Sequence, residues 1–336
     1  LRATVEGEGS LRSAGPPVLE PPADLKVFDP DVKEATGRSG GRSVVRKSWE
    51  WIVVPLAPRD LELPALRFPY FDPVAGAYDA AAMEATAPGL ADYVPRLVPS
   101  GAIAAEMVPR TAEQLGLRPG TPISAGGGDN MMSAIGAGAT RPGVSVCSLG
   151  TSGTVFAFSD VAAIDPEGAI AAFRASSPSA GSSEAGHLPL LCVMNCTEPL
   201  EALRELTGKD HDELTALATD AAMGDELFVP FLVGERVPNL PNATGTLSGL
   251  RLGSLTPGAL YRAALEGVSL NLAAGVDRMR AIGVEPDEVR LVGGAARNPL
   301  WQRLLATVFG VPVRVLAETE TAAVGAALQA AAAVRG

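Results

Sequence analysis

Asp129 is the only carboxylate in a run of glycines and small side chains, SAGGGDNMMSAIGAG, and further along comes a turn of glycines and hydroxyls, Gly150-Thr151-Ser152-Gly153-Thr154. A carboxylate ahead of such a turn suits phosphoryl transfer. Positioning and electrostatics do most of the work in that reaction, and the protein's remaining task is to accept a proton from the attacking hydroxyl. Glycines let a phosphate approach backbone amides closely, and Thr151, Ser152 and Thr154 add hydroxyl donors. Two plainer readings stand beside this one. An Asp at a helix start caps free amides, and a turn of this composition is an ordinary hairpin tip.

The elements that must hold these residues are legible from periodicity. Residues 122–125 read as a short buried strand, 126–128 as a sharp glycine turn and 131–137 as the opening of a helix, so Asp129 sits at a strand-to-helix junction. Residues 144–149 and 155–158 read as the strands that frame the Gly150 turn. A third element follows near the C-terminus: a strand over 289–292, the small-residue turn Gly293-Gly294-Ala295-Ala296, and a helix over 300–309 with Asn298 as N-cap and Pro299 at its first position. Small residues there leave room for a flat ring or a ribose, and close strand-to-helix packing demands the same residues. The chain holds no GxxxxGK[ST] loop. The glycines of GAGATRPG, residues 136–143, lead from a helix into a strand, the wrong context for a dinucleotide fingerprint.

Five segments in order, SAGGGDN, VSVCSLGTSGTVFA, FVPFLVGERVPNLPNATGTLSGL, RAALEGVSLNL and LVGGAARNPLWQRLLATVFGVPV, resemble the C-terminal two thirds of carbohydrate kinases of the FGGY family. The likeness runs from about Phe71 to the end. It implies an α/β, actin-like (ribonuclease H-like) ATPase fold of two domains, with the first incomplete, that close on a sugar and on ATP with Mg²⁺. By the family pattern Asp129 is the catalytic base and lies with Asn130 on the sugar side. Gly150, Thr151 and Ser152 contact ATP phosphates, and Gly293, Gly294 and Asn298 line the adenosine site. Glu235, Arg236 and Pro238 match the family's GERTP, with Val237 in place of threonine. Asp129-Asn130, SLGTSGTVFA and LCVMNCTEPLEALREL favour the branch that phosphorylates D-xylulose to D-xylulose 5-phosphate. A nucleotide-binding remnant without transfer activity, or a kinase for another sugar or polyol, is the alternative. No metal ligand is assigned, and a homodimer is compatible with the family.

The departures are as specific as the matches. The family's DxGTxSxK hairpin is not found, and His187 and His211, the two histidines, both follow Asp129. The expected organisation is therefore an unmatched leader over 1–68, a remnant of the family's N-terminal domain over 69–139 that carries Asp129, and a C-terminal nucleotide-binding domain over 140–336. Residues 1–68 show no sustained periodicity, and 38–46 read as a basic linker. The abrupt onset of likeness near Phe71 leads to the expectation of a truncated gene product whose first part is altered. One intact reading frame with no upstream motif at the locus would count against it.

Composition narrows the class. A chain of 336 residues, 47% hydrophobic, is long enough for two domains with sizeable cores. A net charge of −11 disfavours nucleic acid as a partner. No apolar run is long enough to span a bilayer and no signal peptide is evident, so a cytoplasmic location is expected. Cys147, Cys192 and Cys196 read as reduced core thiols rather than a metal site. Helices are expected over 109–115, 198–207, 210–221 and 257–282. In the last, Leu260, Ala264, Val268 and Leu272 form a core stripe and Glu266 is either paired or solvated. Residues 160–186, rich in Ala, Ser and Gly, read as a mobile loop.

Overall fold

Apolar side chains on both faces of its strands dictate a sheet sandwiched between helices. In β10 (Val144–Leu149), Val144 and Val146 pack on one side and Cys147 and Leu149 on the other. The same alternation splits Val155 and Ala157 from Phe156 and Phe158, and Leu191 and Val193 from Leu188 and Leu190. The computed structural model describes residues 1–7, 16–17, 25–39, 42–56, 71–72, 77–78, 98–178, 185–221, 224–317 and 320–335.

The chain divides into two compact units, Leu1–Leu97 with Ile164–Gly168, and Val98–Ala163 with Ala169–Gly336. The second unit is built on a six-stranded sheet of order β12-β13-β11-β10-β16-β17. Its members are β10, β11 (Gly153–Ala157), β12 (Ala171–Pro178), β13 (Ala185–Val193), β16 (Glu288–Val292) and β17 (Val313–Val315). The first four pair antiparallel, whereas β16 runs parallel to both β10 and β17. One face is covered by the helices α3 (Glu198–Thr207), α4 (His211–Asp220), α5 (Pro257–Ala281) and α6 (Pro299–Phe309), whose Leu200, Leu214, Leu265, Leu272, Trp301 and Phe309 are buried in the larger core. The other face carries α2 (Asp129–Gly136), with Ala134 in the smaller core. The unit also holds α1 (Pro109–Leu115) and two small ribbons, β8 (Ile103–Glu106) with β9 (Pro122–Ser124), and β14 (Leu227–Val229) with β15 (Thr246–Ser248).

The position of α2, and so of Asp129, depends on the terminal helix α7 (Thr321–Arg335), an alanine-rich segment for which the motifs carry no expectation. The two helices cross backbone to backbone. A Cβ on Gly136 would lie 1.9 Å from the Thr321 carbonyl oxygen, and one on Gly325 would lie 1.8 Å from that of Met132. A buried hydrogen bond between Ser133 Oγ and Thr321 Oγ1, 2.7 Å, pins the crossing. Gly325→Ala is therefore expected to cost about 1–3 kcal/mol by forcing the helices apart. Chemical denaturation checks this, and an unchanged midpoint would show that the crossing gives way freely.

The first unit holds β1 (Arg2–Gly7), β3 (Asp31–Ser39) and β4 (Arg42–Glu50) as an antiparallel sheet of order β1-β4-β3. The pairs β2 (Leu25–Val27) with β5 (Val53–Pro55), and β6 (Phe71–Asp72) with β7 (Ala77–Tyr78), complete its described strands. The basic-linker reading of 38–46 is corrected here. Arg38 pairs with Ser43 and Ser39 with Arg42 in the β3–β4 ladder, and residues 40–41 lie outside the described residues. The sequence signal for this strand is the alternation of Val45, Lys47 and Trp49, all buried, with polar residues between them. Lys47 is accommodated by Glu34, 3.0 Å away, and by the Trp49 ring.

Two other expectations are corrected, and the open one for Glu266 resolves to its paired alternative. Residues 171–178 form a strand rather than part of a loop, because pairing with β13 supplies the ladder their small side chains do not advertise; residues 179–184 lie outside the described residues. The strand before Asp129 is exposed rather than buried, since β9 pairs only with β8. Glu266 pairs with Arg262 at 2.8 Å one turn back along α5.

Candidate functional site

The tip of the β10–β11 hairpin is fixed from below. The Gly150 carbonyl accepts from the Thr197 amide and the Thr151 carbonyl from the Cys196 amide, both at 3.2 Å, while the side chains of Thr151 and Ser152 are exposed at the tip. The corner that supplies those amides, residues 194–197, is anchored in turn by Glu235. This carboxylate is only 1% exposed and accepts from the Met194 amide (2.6 Å), the Arg236 amide (2.7 Å), Asn195 Nδ2 (3.1 Å) and Asn271 Nδ2 (3.2 Å). Asn195 also donates to the Gly234 carbonyl and accepts from the Val233 amide. One buried carboxylate thus ties α5, the Gly234–Arg236 turn and the hairpin corner together, satisfying every group in the network.

Beside the hairpin lies a cleft of about 410 Å³. Gly150, Gly294 and Asn298, three of the residues singled out from sequence, line it. Asn298 is fixed by its own bonds. Its Oδ1 caps α6 by accepting from the amides of Leu300 and Trp301, which leaves Nδ2 to donate to Thr215 Oγ1 at 2.8 Å. Gly293 does not line the cleft but permits it. Its φ of 92° belongs to glycine, and a Cβ there would meet the Leu149 carbonyl oxygen at 2.7 Å. A side chain on Gly294, by contrast, would meet nothing within 4 Å.

The opposite wall holds residues that motif reading missed: Glu201, His211, Thr215 and Tyr261, with Arg297 and Trp301 nearby. His211 bridges Tyr261 OH and Glu201 Oε1, at 2.9 Å each, and Arg204 Nε donates to Glu201 Oε2 at 2.6 Å. The bonds from Arg204 and then His211 hold the Glu201 carboxyl below the usual range. Burial pushes the Tyr261 phenol up to about 12, so it remains protonated and able to donate. Only helical offsets could have hinted at this wall, Glu201 from Thr197 and Thr215 from His211, each i, i+4, because the three helices that carry it are distant in the chain.

Asp129 and Asn130 lie outside this cleft. Gly128, not Asp129, is the N-cap of α2, and Asp129 is its first helical residue, so the capping reading of its carboxylate is corrected. Asp129 Oδ1 accepts from the Asn130 amide at 2.8 Å and from Asn130 Nδ2 at 3.3 Å. Its other oxygen has no partner among the described residues, and the side chain is exposed. Asn130 connects it to the hairpin, since Asn130 Oδ1 accepts from Thr154 Oγ1 at 3.5 Å. An exposed carboxylate with a free oxygen, held near a glycine hairpin, is equipped to take a proton from a hydroxyl.

Among the described residues no group of three or more His, Cys, Asp or Glu side chains could hold a metal ion, so the described side chains do not build a magnesium cage. The described residues also include no helix long and apolar enough to cross a membrane. Cys147 and Cys196 are buried thiols, with burial raising both, Cys196 to about 12. They are poor nucleophiles and belong to the core.

A three-layer unit with a glycine hairpin, a small-residue strand-to-helix turn and a carboxylate at a helix start is the pattern of a known class of kinases. The sequence profile described as the FGGY family of carbohydrate kinases, C-terminal domain, matches residues 145–334, and that for the N-terminal domain matches 65–136. The chain belongs to this family, and its fold is the actin-like α/β fold of FGGY sugar kinases. It is 37% identical over 265 residues to a xylulose kinase of Haemophilus influenzae, covering 78% of this chain and 52% of that protein. It is 38% identical over 239 residues to one of Streptomyces coelicolor, covering 71% and 46%. The chain thus spans about half the length of the curated relatives it matches. Among solved structures, a xylulose kinase from Bifidobacterium adolescentis superposes with a TM-score of 0.65 at 32% identity, covering 80% of this chain and 54% of that one. A glycerol kinase from Plasmodium falciparum, at 16% identity and a TM-score of 0.71 over 79% and 52% of the two chains, shares the fold alone.

Proposed function

We propose that this chain is the nucleotide-binding part, with the catalytic carboxylate, of an ATP-dependent kinase that phosphorylates a ketopentose, D-xylulose to D-xylulose 5-phosphate. The observation that carries this is the cleft joining Gly150 of the hairpin to Gly294 and Asn298 of the strand-to-helix turn, in a chain of this family. Gly150, Thr151 and Ser152 would hold the phosphates, Gly293, Gly294 and Asn298 would form the adenosine side, and Asp129 with Asn130 would face the sugar hydroxyl. The relatives' names supply the sugar. Residues 69–139 would then be the part of the N-terminal domain bearing Asp129, and 140–336 the nucleotide domain.

In the reaction, Asp129 draws the proton from the sugar's terminal hydroxyl as its oxygen attacks the γ-phosphorus, and the hairpin amides and hydroxyls steady the charge on the phosphate. Mg²⁺ bound with the nucleotide would neutralise phosphate charge.

A second reading, a nucleotide-binding chain without transfer, is favoured by one observation: Asp129 and Asn130 lie outside the cleft that Gly150, Gly294 and Asn298 line. Titration calorimetry with Mg-ADP, followed by coupled ADP release with and without D-xylulose, separates the two. Binding with xylulose-dependent release supports the kinase, binding without release supports the second reading, and absence of binding overturns both. Asn298→Ala is expected to lose about 1 kcal/mol of stability with its cap and to weaken Mg-ADP binding as well. Asn298→Asp keeps the cap but replaces the Nδ2 donor with an acceptor oxygen, so an affinity equal to wild type in that variant would remove the Nδ2 group from the binding argument.

A further inference from the structure

The cleft wall formed by Glu201, His211 and Tyr261 has no part in the transfer step, yet its hydrogen bonds run in one direction. Asn298 Oδ1 is committed to capping α6, so its Nδ2 must donate to Thr215. At the far end Glu201 can only accept. It takes Arg204 Nε on Oε2 and His211 Nε2 on Oε1, so Nε2 carries a proton, and the other ring nitrogen, Nδ1, is hydrogen-bonded to Tyr261 OH. Each oxygen of the carboxylate has a second acceptor site still open, and the side chain is 44% exposed in the cleft.

Glu201 also has a defined place along the cleft. It follows Thr197, whose amide holds the Gly150 carbonyl, by four residues and so lies about 6 Å along α3 from the hairpin end of the site. The group next to the phosphates in a nucleotide is the ribose, which presents two hydroxyl donors. A carboxylate so near phosphates would repel them were its charge not balanced by Arg204.

We propose that Glu201 reads the ribose of the bound nucleotide by accepting its 2′- and 3′-hydroxyls, and that His211, braced by Tyr261, is a positioning residue that holds the carboxylate toward them. This rests on the nucleotide reading of the cleft. It makes the site selective for ribonucleotides over deoxyribonucleotides, the same use of an acidic side chain that dinucleotide-binding folds make on an unrelated scaffold.

The test is the ratio of affinities for Mg-ADP and for its 2′-deoxy and 3′-deoxy forms, measured by calorimetry on the whole chain. The wild type is expected to prefer Mg-ADP over at least one of them by about tenfold or more, the worth of a hydrogen bond to a charged group. Glu201→Ala should bring every ratio to within about twofold, chiefly by weakening Mg-ADP. His211→Phe should lower the ratio while leaving the deoxy affinities near wild type, a split that general loss of structure would not produce. Equal affinity for all three in the wild type overturns the proposal and leaves the nucleotide reading intact, and this comparison does not depend on any variant folding. A preference that survives Glu201→Ala also overturns it, since another group then reads the hydroxyls. Failure of all three to bind overturns the nucleotide reading and this proposal with it.

Discussion

Asp129→Asn is expected to lower xylulose-dependent ADP release by about 10²- to 10⁴-fold, the usual contribution of a general base, while leaving Mg-ADP affinity within about twofold of wild type. The side chain is exposed in the first turn of α2 with one oxygen unengaged among the described residues, and it lies outside the cleft that Gly150 and Asn298 line. Asparagine has the same shape and can still accept from the Asn130 amide through its carbonyl oxygen, so the helix start should survive the change. What it lacks is the capacity to take a proton. Coupled turnover and calorimetry on one preparation give both numbers. Unchanged turnover would remove Asp129 from the chemistry, whereas a parallel loss of nucleotide affinity would mean that α2 had shifted.

Glu235→Ala should be the most damaging single change to the fold of the second unit, at about 3–5 kcal/mol. Four donors converge on this buried carboxylate, and the substitution removes that partner from each of them. Because the same network holds residues 194–197 under the hairpin, the variant should also bind Mg-ADP more weakly than its lost stability alone explains. Glu235→Gln keeps the volume and one acceptor, and should fall between the two. Denaturant titrations of the three proteins measure the difference. A loss below about 1 kcal/mol in Glu235→Ala would show that water enters and satisfies the network.

Much of this architecture is legible in the sequence. Periodicity and end signals mark α1, α3, α5 and α6, with Thr256 capping α5 and Asn298 capping α6. Both strands of the hairpin are legible too, because their side chains are buried on both faces. The strand β4 shows only the short alternation of Val45, Lys47 and Trp49, and the edge strand β12 and β3 show none; their ladders with β13 and β4 are what make them strands.

Local chemistry follows from residue order alone: a lone carboxylate at a helix start, glycines where a turn demands them, and an asparagine that caps one helix. Those properties depend on neighbours a few residues away, so composition and spacing suffice to specify them. Only the tertiary structure decided that Gly150 and Asn298 line one cleft, that Glu201, His211 and Tyr261 face it from three helices, and that Asp129 lies outside it. It also decided that α2 is set by a glycine crossing with a helix nearly two hundred residues away, shown by the Ser133–Thr321 bond across 188 positions. Side chains distant in the chain meet only when the sheet and its helices close around a common core. No pattern of spacing carries that information, because the energy that brings them together is the burial of other residues.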